Sequence, residues 1–284
     1  MSASTNIIRI ALVTIGLLTV PTVTLASEGV ETQREWTERY EVATTAPTLE
    51  IRNVWGDVRV SPGPPGEITM VIQERRSAPS QALFDRSLDV YGLAIEADDQ
   101  GVDVRVGDYG QSWRGRNPCR RCRVDYQFEV RVPPNTRVYA STVNDGEVEL
   151  SGIEGQVSAD NVNGPVTIRD ARSCDSVESV NGDVSLSFVT EPGSDCRIET
   201  INGDIRLEVP GGAGLDVTMD LGNGRMTSEL PVDPLAIPAR VEHRQSGGSH
   251  RYTIEQAAGL RLAGGGPVFS VSSLNGDLRI QETN

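Results

Sequence analysis

The residues best suited to binding chemistry lie together between Gly107 and Arg123. This segment (GDYGQSWRGRNPCRRCR) lies between two strand-like runs and combines two aromatic residues with five arginines: Tyr109, Trp113, Arg114, Arg116, Arg120, Arg121 and Arg123. Arginine forks suit phosphate and carboxylate groups, and tryptophan packs against a sugar ring or another protein. On a chain of net charge −14 this basic segment predicts a ligand-binding loop. The alternative is a solvated hairpin tip whose arginines pair with acids of the same protein.

Other residue types could support metal or acid–base chemistry, but their spacing argues against both. The aspartates of four similar turns, Asp57, Asp183, Asp204 and Asp277, could stack as calcium ligands. Turn chemistry explains them more simply, with glycine supplying a positive φ and aspartate capping the bend. The acidic residues are spread along the chain with no catalytic pair, and His243 and His250 flank a Gly-Ser stretch without a nucleophile motif. We therefore expect no cofactor, no metal site and no enzymatic activity.

The first 26 residues are typical of a secretory signal peptide. Arg9 precedes an apolar run over residues 10–20, Pro21 interrupts that run, and Thr24 and Ala26 fit a cleavage site before Ser27. The run is shorter than the ~20 residues of a membrane span, and no second such run follows. The acidic composition argues against nucleic acid as a partner. The sequence thus predicts a periplasmic or secreted protein without a transmembrane segment after signal cleavage.

The chain has four cysteines, and in an exported protein an even number suggests disulfides. Cys174 and Cys196 occupy nearly equivalent positions of neighbouring repeats, which predicts that they pair with each other. By elimination, Cys119 pairs with Cys122. A redox-active or zinc-binding Cys-x-x-Cys pair is the alternative for the second of these.

An Asn-Gly repeat dominates the second half of the chain. Its units recur every 18 to 21 residues, and each combines a small polar residue, an aliphatic residue, the Asn-Gly bend and a short alternating strand. An earlier copy has Trp55 in place of the asparagine, and a decayed copy contains Asn223. The structural turn residues are Asn144, Gly146, Asn163, Gly164, Asn181, Gly182, Asp183, Asn202, Gly203, Asp204, Asn275, Gly276 and Asp277.

The repeat predicts an all-β fold, and two architectures fit it. In a β-solenoid with coils of about 20 residues, equivalent residues stack in columns and form asparagine and aliphatic ladders. In an antiparallel β-sandwich, each Asn-Gly is the turn of a hairpin. Identical residues at every unit favour the solenoid, because a stack of hairpins gives no reason for such columns. No helix is expected after the signal, with residues 79–87 as a weak exception.

The combined motifs resemble the putative-adhesin domain family of unknown function. The resemblance rests on Val130-Arg131-Val132-Pro133-Pro134, on Val138-x-Ala140-x-Thr142, and on the Asn-Gly-Asp-Val units. It covers roughly residues 45 to 284 and implies an exported bacterial protein with a β-solenoid-like core. The family name implies adhesion, and the family supplies no catalytic residues to transfer to this chain. The Cys-x-x-Cys loop and the Trp55 copy depart from its pattern.

These patterns predict three parts: a signal peptide at 1–26, an irregular β region at 27–135 that caps the repeats and carries the loop at 107–123, and a repeat region at 136–284. The function predicted is a non-catalytic envelope or surface interaction module, with an unknown protein or an anionic envelope glycan as partner. The alternatives are an enzyme acting on anionic polysaccharide and a self-assembling structural envelope protein. Self-assembly would use an open strand edge at the C-terminal coil.

Overall fold

The computed structural model of the chain describes residues 22–26, 29–107, 119, 121–237, 240–246, 249–255 and 258–283. In chain order the strands are β1 (Thr22–Ala26), β2 (Gly29–Glu41), β3 (Thr48–Arg52), β4 (Val58–Pro62), β5 (Glu67–Ala78), β6 (Leu93–Asp98), β7 (Gly101–Val106), β8 (Arg123–Val132), β9 (Arg137–Thr142), β10 (Val148–Ser151), β11 (Gln156–Asn161), β12 (Val166–Ala171), β13 (Ser173–Asn181), β14 (Val184–Phe188), β15 (Cys196–Asn202), β16 (Ile205–Val209), β17 (Leu215–Leu221), β18 (Met226–Ser228), β19 (Asp233–Pro234), β20 (Arg240–Ser246), β21 (Ser249–Glu255), β22 (Ala258–Leu262), β23 (Val268–Asn275) and β24 (Leu278–Glu282). Helix α1 (Gln81–Val90) lies between β5 and β6.

The described strands form two large, mainly parallel sheets, as in a β-helix-like fold. Sheet 1 has the order β1-β2-β5-β8-β4-β10-β12-β14-β16-β24-β18. Sheet 2 has the order β19-β22-β17-β23-β15-β13-β11-β9-β3-β7-β6. Strands β20 and β21 form a separate antiparallel pair. Within the described residues no helix is both long and apolar enough to cross a membrane.

Each repeat unit contributes one strand to each sheet. The Asn-Gly bend joins a strand of sheet 2 to the next strand of sheet 1, as in β11 to β12 and β13 to β14. Both strands then pair in parallel with their equivalents in the neighbouring unit. The alternative of Asn-Gly hairpins is therefore wrong, because the two strands that flank each bend do not pair with each other. The mostly β composition and the stacking of equivalent residues are as predicted.

The core lies between the inner faces of the two sheets, where the period-two aliphatic residues meet. Each sheet contributes buried columns, and two of them, one from each sheet, are in register across five units. These columns are Val148, Val166, Val184, Ile205 and Leu278, and Ala140, Ala159, Val177, Ile198 and Val271. Burial of a large aliphatic side chain contributes about 1.5–3 kcal/mol, so the alternating pattern itself drives the stacking.

The order of the units in the stack differs from their order in the chain. The unit β23–β24 lies between β15–β16 and β17–β18, with parallel partners on both sides in both sheets. Strand β22 then covers β17 in antiparallel pairing. The predicted open edge at the C-terminal coil is therefore wrong, since β24 is an inner strand and β18 forms the end of sheet 1. Self-association stays a prediction.

Residues before the regular repeats build the opposite end of both sheets. The Trp55 copy, β3–β4, stacks directly on β9–β10. Strand β8 pairs in parallel with β4, and β5 and β2 then extend sheet 1 in antiparallel pairing. Helix α1 confirms the weak helical pattern at 79–87. The Ser80 hydroxyl caps it by accepting a hydrogen bond from the Leu83 amide at 3.4 Å. The boundaries of the three parts and the signal peptide stay predictions.

Candidate functional site

The asparagines of the bends form a continuous hydrogen-bonded ladder along the stack. The side-chain amide of Asn181 donates to Asn163 at 3.0 Å, that of Asn202 to Asn181 at 2.9 Å, and that of Asn275 to Asn202 at 2.8 Å. At the end of the stack Asn223 donates to Asn275 at 2.8 Å. The ladder explains why the repeat needs asparagine at this position, and it assigns these residues a structural role.

The glycines of the bends are required by close packing. Gly146, Gly164, Gly182, Gly203 and Gly276 all lack a positive φ, so the expectation that glycine serves the turn conformation is wrong for these residues. A Cβ atom added at Gly182 would collide with the carbonyl oxygen of Gly164, and the same clash recurs at each step of the column. The bend backbones therefore approach so closely that no side chain fits between them.

The aspartates of the bends also act within the stack. The carboxylate of Asp183 accepts a hydrogen bond from the Asp204 amide at 2.8 Å, and Asp204 accepts one from the Asp277 amide at 2.9 Å. Asp277 in turn accepts from the Arg225 amide at 2.8 Å. Among the described residues no group of three or more His, Cys, Asp or Glu could hold a metal ion. The aspartates thus link successive bends.

Both predicted disulfides are present. Cys174 and Cys196 join β13 to the neighbouring β15, with their Cα atoms 5.2 Å apart. Cys119 and Cys122 close a short turn with Cα atoms 5.3 Å apart, and the Cys122 amide donates to the Cys119 carbonyl at 2.9 Å. Both members of the second pair are buried. This bridge fixes the end of the predicted binding loop.

Of that loop, the structure describes Gly107 at its start and residues 119 and 121–123 at its end. Arg121 and Arg123 are exposed there, and Arg123 forms an exposed ion pair with Asp145 at 3.3 Å. Such a pair contributes at most about 1 kcal/mol. Tyr109, Trp113, Arg114, Arg116 and Arg120 lie outside the described residues. Of the two loop arginines that the structure describes, Arg123 pairs with an acid of the same protein, as the alternative of a solvated tip requires.

The disulfide at the loop end rests on helix α1. The sulfur atoms of Cys119 and Cys122 lie 3.2 and 3.4 Å from the carbonyl oxygen of Leu83. Leu83 itself packs against the hydrophobic core. Movement of this end of the loop is therefore coupled to movement of the helix.

A buried ionic network under α1 was not predicted from the sequence. The side chains of Arg76 and Glu74 are almost completely buried and form an ion pair at 2.6 Å. Arg34 forms a second ion pair with Glu74. The Arg76 guanidinium donates to the Tyr91 carbonyl and the Tyr126 hydroxyl, each at 3.0 Å. Burial is the main reason that the pKa of Tyr126 rises to about 12. The network ties α1 to β5 and β8, the strand that follows the loop.

The outer face of sheet 2 carries two further rows of residues, one acidic and one aliphatic. Asp160, Glu178 and Glu199 lie directly opposite one another on β11, β13 and β15. The aliphatic residue that precedes each bend asparagine lies on the same face, two positions later in the chain. Because alternate residues share a face, a period-two interpretation of the repeats could have identified both rows.

Burial raises the pKa of two carboxyl groups in the acidic row. Burial is the main cause of the raised pKa of Asp160. The Tyr139 hydroxyl donates a hydrogen bond to its carboxylate at 2.6 Å, and this bond acts in the opposite direction by lowering the pKa. Burial, followed by the hydrogen bond to Asp160, raises the pKa of Tyr139 to about 12. For Glu178, burial comes first and repulsion from Asp160 and Glu199 follows. Burial therefore disfavours the ionised form of both carboxyl groups.

Comparison with known proteins gives one structural similarity. No protein-family model matches the chain, and no curated protein matches it. The fold is similar to a crystal structure described as a putative cell adhesion protein from Clostridium sporogenes, with 10% sequence identity and a TM-score of 0.42. The match covers 87% of this chain and 99% of that chain. A likeness of this extent defines neither a family nor a function for the chain.

Proposed function

We propose that this protein is a non-catalytic, exported β-solenoid that acts as an adhesin-like interaction module of the cell envelope. The observation that carries the proposal is the way the stack supports the loop at 107–123. A disulfide closes the end of the loop, that disulfide rests on α1, and α1 is held by the buried Arg76 network. A loop with a fixed end loses less conformational entropy when it binds.

The loop composition indicates the class of ligand. Five arginines and one tryptophan suit an anionic glycan, because guanidinium groups bind carboxylate or phosphate and the indole ring packs on a sugar face. The rest of the chain is acidic, so attraction to an anionic surface would be concentrated at this loop. The periplasm or the cell exterior is where such a ligand would be met.

The test is cosedimentation of the purified protein with envelope fractions. The loop variant replaces Arg114, Arg116, Arg120, Arg121 and Arg123 with serine. The matched control replaces five exposed arginines of the stack with serine and so changes the net charge equally: Arg172, Arg197, Arg206, Arg225 and Arg279. Wild type and control should pellet, less so in high salt, and the loop variant should remain in the supernatant.

Two results would contradict the proposal. If the loop variant and the control behave alike, the loop is a solvated tip and binding has another origin. The second result concerns catalysis, measured as release of reducing ends from acidic glycans by the same preparation. Turnover that is abolished by one carboxylate substitution would establish the enzyme alternative in place of a binding module.

A further inference from the structure

A row of aliphatic side chains lies on the outer face of sheet 2, and three of its five members are exposed while two are half-buried. This aliphatic row consists of the residues that precede the bend asparagines of five adjacent units: Val143, Val162, Val180, Ile201 and Leu274. Val162, Ile201 and Leu274 are 37%, 44% and 53% exposed. The core does not need these side chains, since they point away from it. Contiguous exposed apolar residues are typical of an interaction surface.

The acidic row runs beside the aliphatic row on the same face. Asp160, Glu178 and Glu199 face one another across neighbouring strands, where like charges are destabilising. Glu199 has an exposed ion pair with Arg197 at 3.5 Å, whereas Glu178 forms no hydrogen bond or ion pair within the described part of the chain. A positive group placed along this row would relieve the repulsion.

The acidic row and four members of the aliphatic row, all except Val143, line a shallow groove of about 410 Å³ that follows the stack axis. Neighbouring strands are ~4.8 Å apart, so the five strands that line the groove, β11, β13, β15, β23 and β17, span roughly 19 Å. The two rows are separated by two residues along each strand, or about 6.6 Å. An extended peptide of about six residues matches this length, and its side chains alternate between the two sides.

We propose that this groove is a docking surface for an extended partner segment that alternates basic and apolar side chains. Its apolar residues would cover the aliphatic row and its basic residues would lie on the acidic row. Charge complementarity selects this occupant over a second copy of the chain, which would bring the same acidic row and a net charge of −14. The proposal does not depend on the loop at 107–123 or on its ligand.

The probe is a fluorescein-labelled six-residue peptide of alternating arginine and leucine, titrated with the full chain and followed by fluorescence anisotropy. Peptides of alternating glutamate and leucine, and of alternating arginine and serine, serve as controls. One groove variant carries Ile201→Thr and Leu274→Thr, and its matched control replaces two equally exposed aliphatic residues elsewhere, Leu88→Thr and Val189→Thr. Circular dichroism checks that each variant is folded.

The acidic row is tested in the same way. This second groove variant carries Glu178→Gln and Glu199→Gln, and its control carries Glu41→Gln and Glu229→Gln at exposed positions outside the groove. Each groove variant should weaken binding of the arginine–leucine peptide about tenfold or more, equivalent to ~1.4 kcal/mol. Each control should stay within about twofold, well below that difference.

Several outcomes would overturn the proposal. Equal weakening by groove and control variants would mean that the peptide binds by net charge alone. If the arginine–serine peptide binds as tightly as the arginine–leucine peptide, the aliphatic row does not contribute to binding. If the arginine–leucine peptide does not bind at millimolar concentration, the groove is not a docking surface for such a segment. If wild type self-associates in sedimentation velocity and the Ile201→Thr, Leu274→Thr variant does not, the groove accepts a second copy instead.

Discussion

An engineered disulfide between Asn223 and Asn275 should form and stabilise the protein. These residues are adjacent in the asparagine ladder although they are 52 positions apart in the chain. Neighbouring strands place their Cα atoms ~4.8 Å apart, within the range that a disulfide spans. Asn202 and Asn223 are separated by Asn275, so their Cα atoms are roughly 9.6 Å apart and a bridge between them would need backbone movement.

The size of the effect follows from the loop that the disulfide closes. For 52 residues, the loss of unfolded-chain entropy stabilises the native state by about 4 kcal/mol. Replacing the two asparagines removes two ladder hydrogen bonds, each contributing about 1 kcal/mol. The oxidised variant should therefore exceed oxidised wild type by about 2 kcal/mol in free energy of unfolding.

Urea unfolding measures the free energy, and peptide mapping by mass spectrometry identifies the bridge. The control variant carries Asn202→Cys and Asn223→Cys, which would be neighbours if the units stacked in chain order. Efficient bridging in that control, together with failure of the Asn223→Cys, Asn275→Cys pair, would refute the order of units described above. It would place β17–β18 directly on β15–β16.

Two further predictions concern the bends and the acidic row. Gly182→Ala should lower the free energy of unfolding by about 1–3 kcal/mol through steric clash. The control is Gly193→Ala, whose added Cβ would lie 3.3 Å from its nearest neighbour atom and which should change the free energy of unfolding far less. Equal effects of the two substitutions in urea unfolding would contradict the close-packing argument. Glu178→Gln should raise the melting temperature at pH 7, because a raised folded-state pKa makes the ionised carboxylate destabilising. The gain should vanish below about pH 4, where wild-type Glu178 is protonated in both states, and a gain that persists at pH 3 would point to a cause other than charge.

The sequence contained enough information for the columns and the disulfides. Asn181 and Asn202 are 21 residues apart and Cys174 and Cys196 are 22 apart, so the stacking of the asparagines predicts that the cysteines lie close enough to pair. The order of the units could not be obtained in this way. Every unit offers the same bend and the same strand edges, so Asn275 fits beside Asn202 as well as Asn223 does. The entropy cost of closing a loop of several tens of residues is only slightly larger than that of closing a loop of twenty residues. The distance between two units along the chain therefore does not decide which units stack on each other.

The glycines and the groove show a different limit. Glycine permits both a positive φ and a close approach, and the sequence cannot distinguish these uses at Gly182. Glu178 and Val180 are two positions apart, which places them on one face of a strand, but which face meets solvent depends on the second sheet. The Arg76–Glu74 pair was hidden because its burial is produced by α1, whose position the local sequence does not specify.

The inner position of β23–β24 has a consequence for synthesis. Chains emerge from the ribosome from the N-terminus, and repeat arrays can usually grow one unit at a time on the part already folded. Here β17–β18 is synthesised first but has its place beyond a unit that comes later in the chain. Products of premature termination would therefore carry exposed strand edges at β15 and β16, which marks them as substrates for proteases and chaperones.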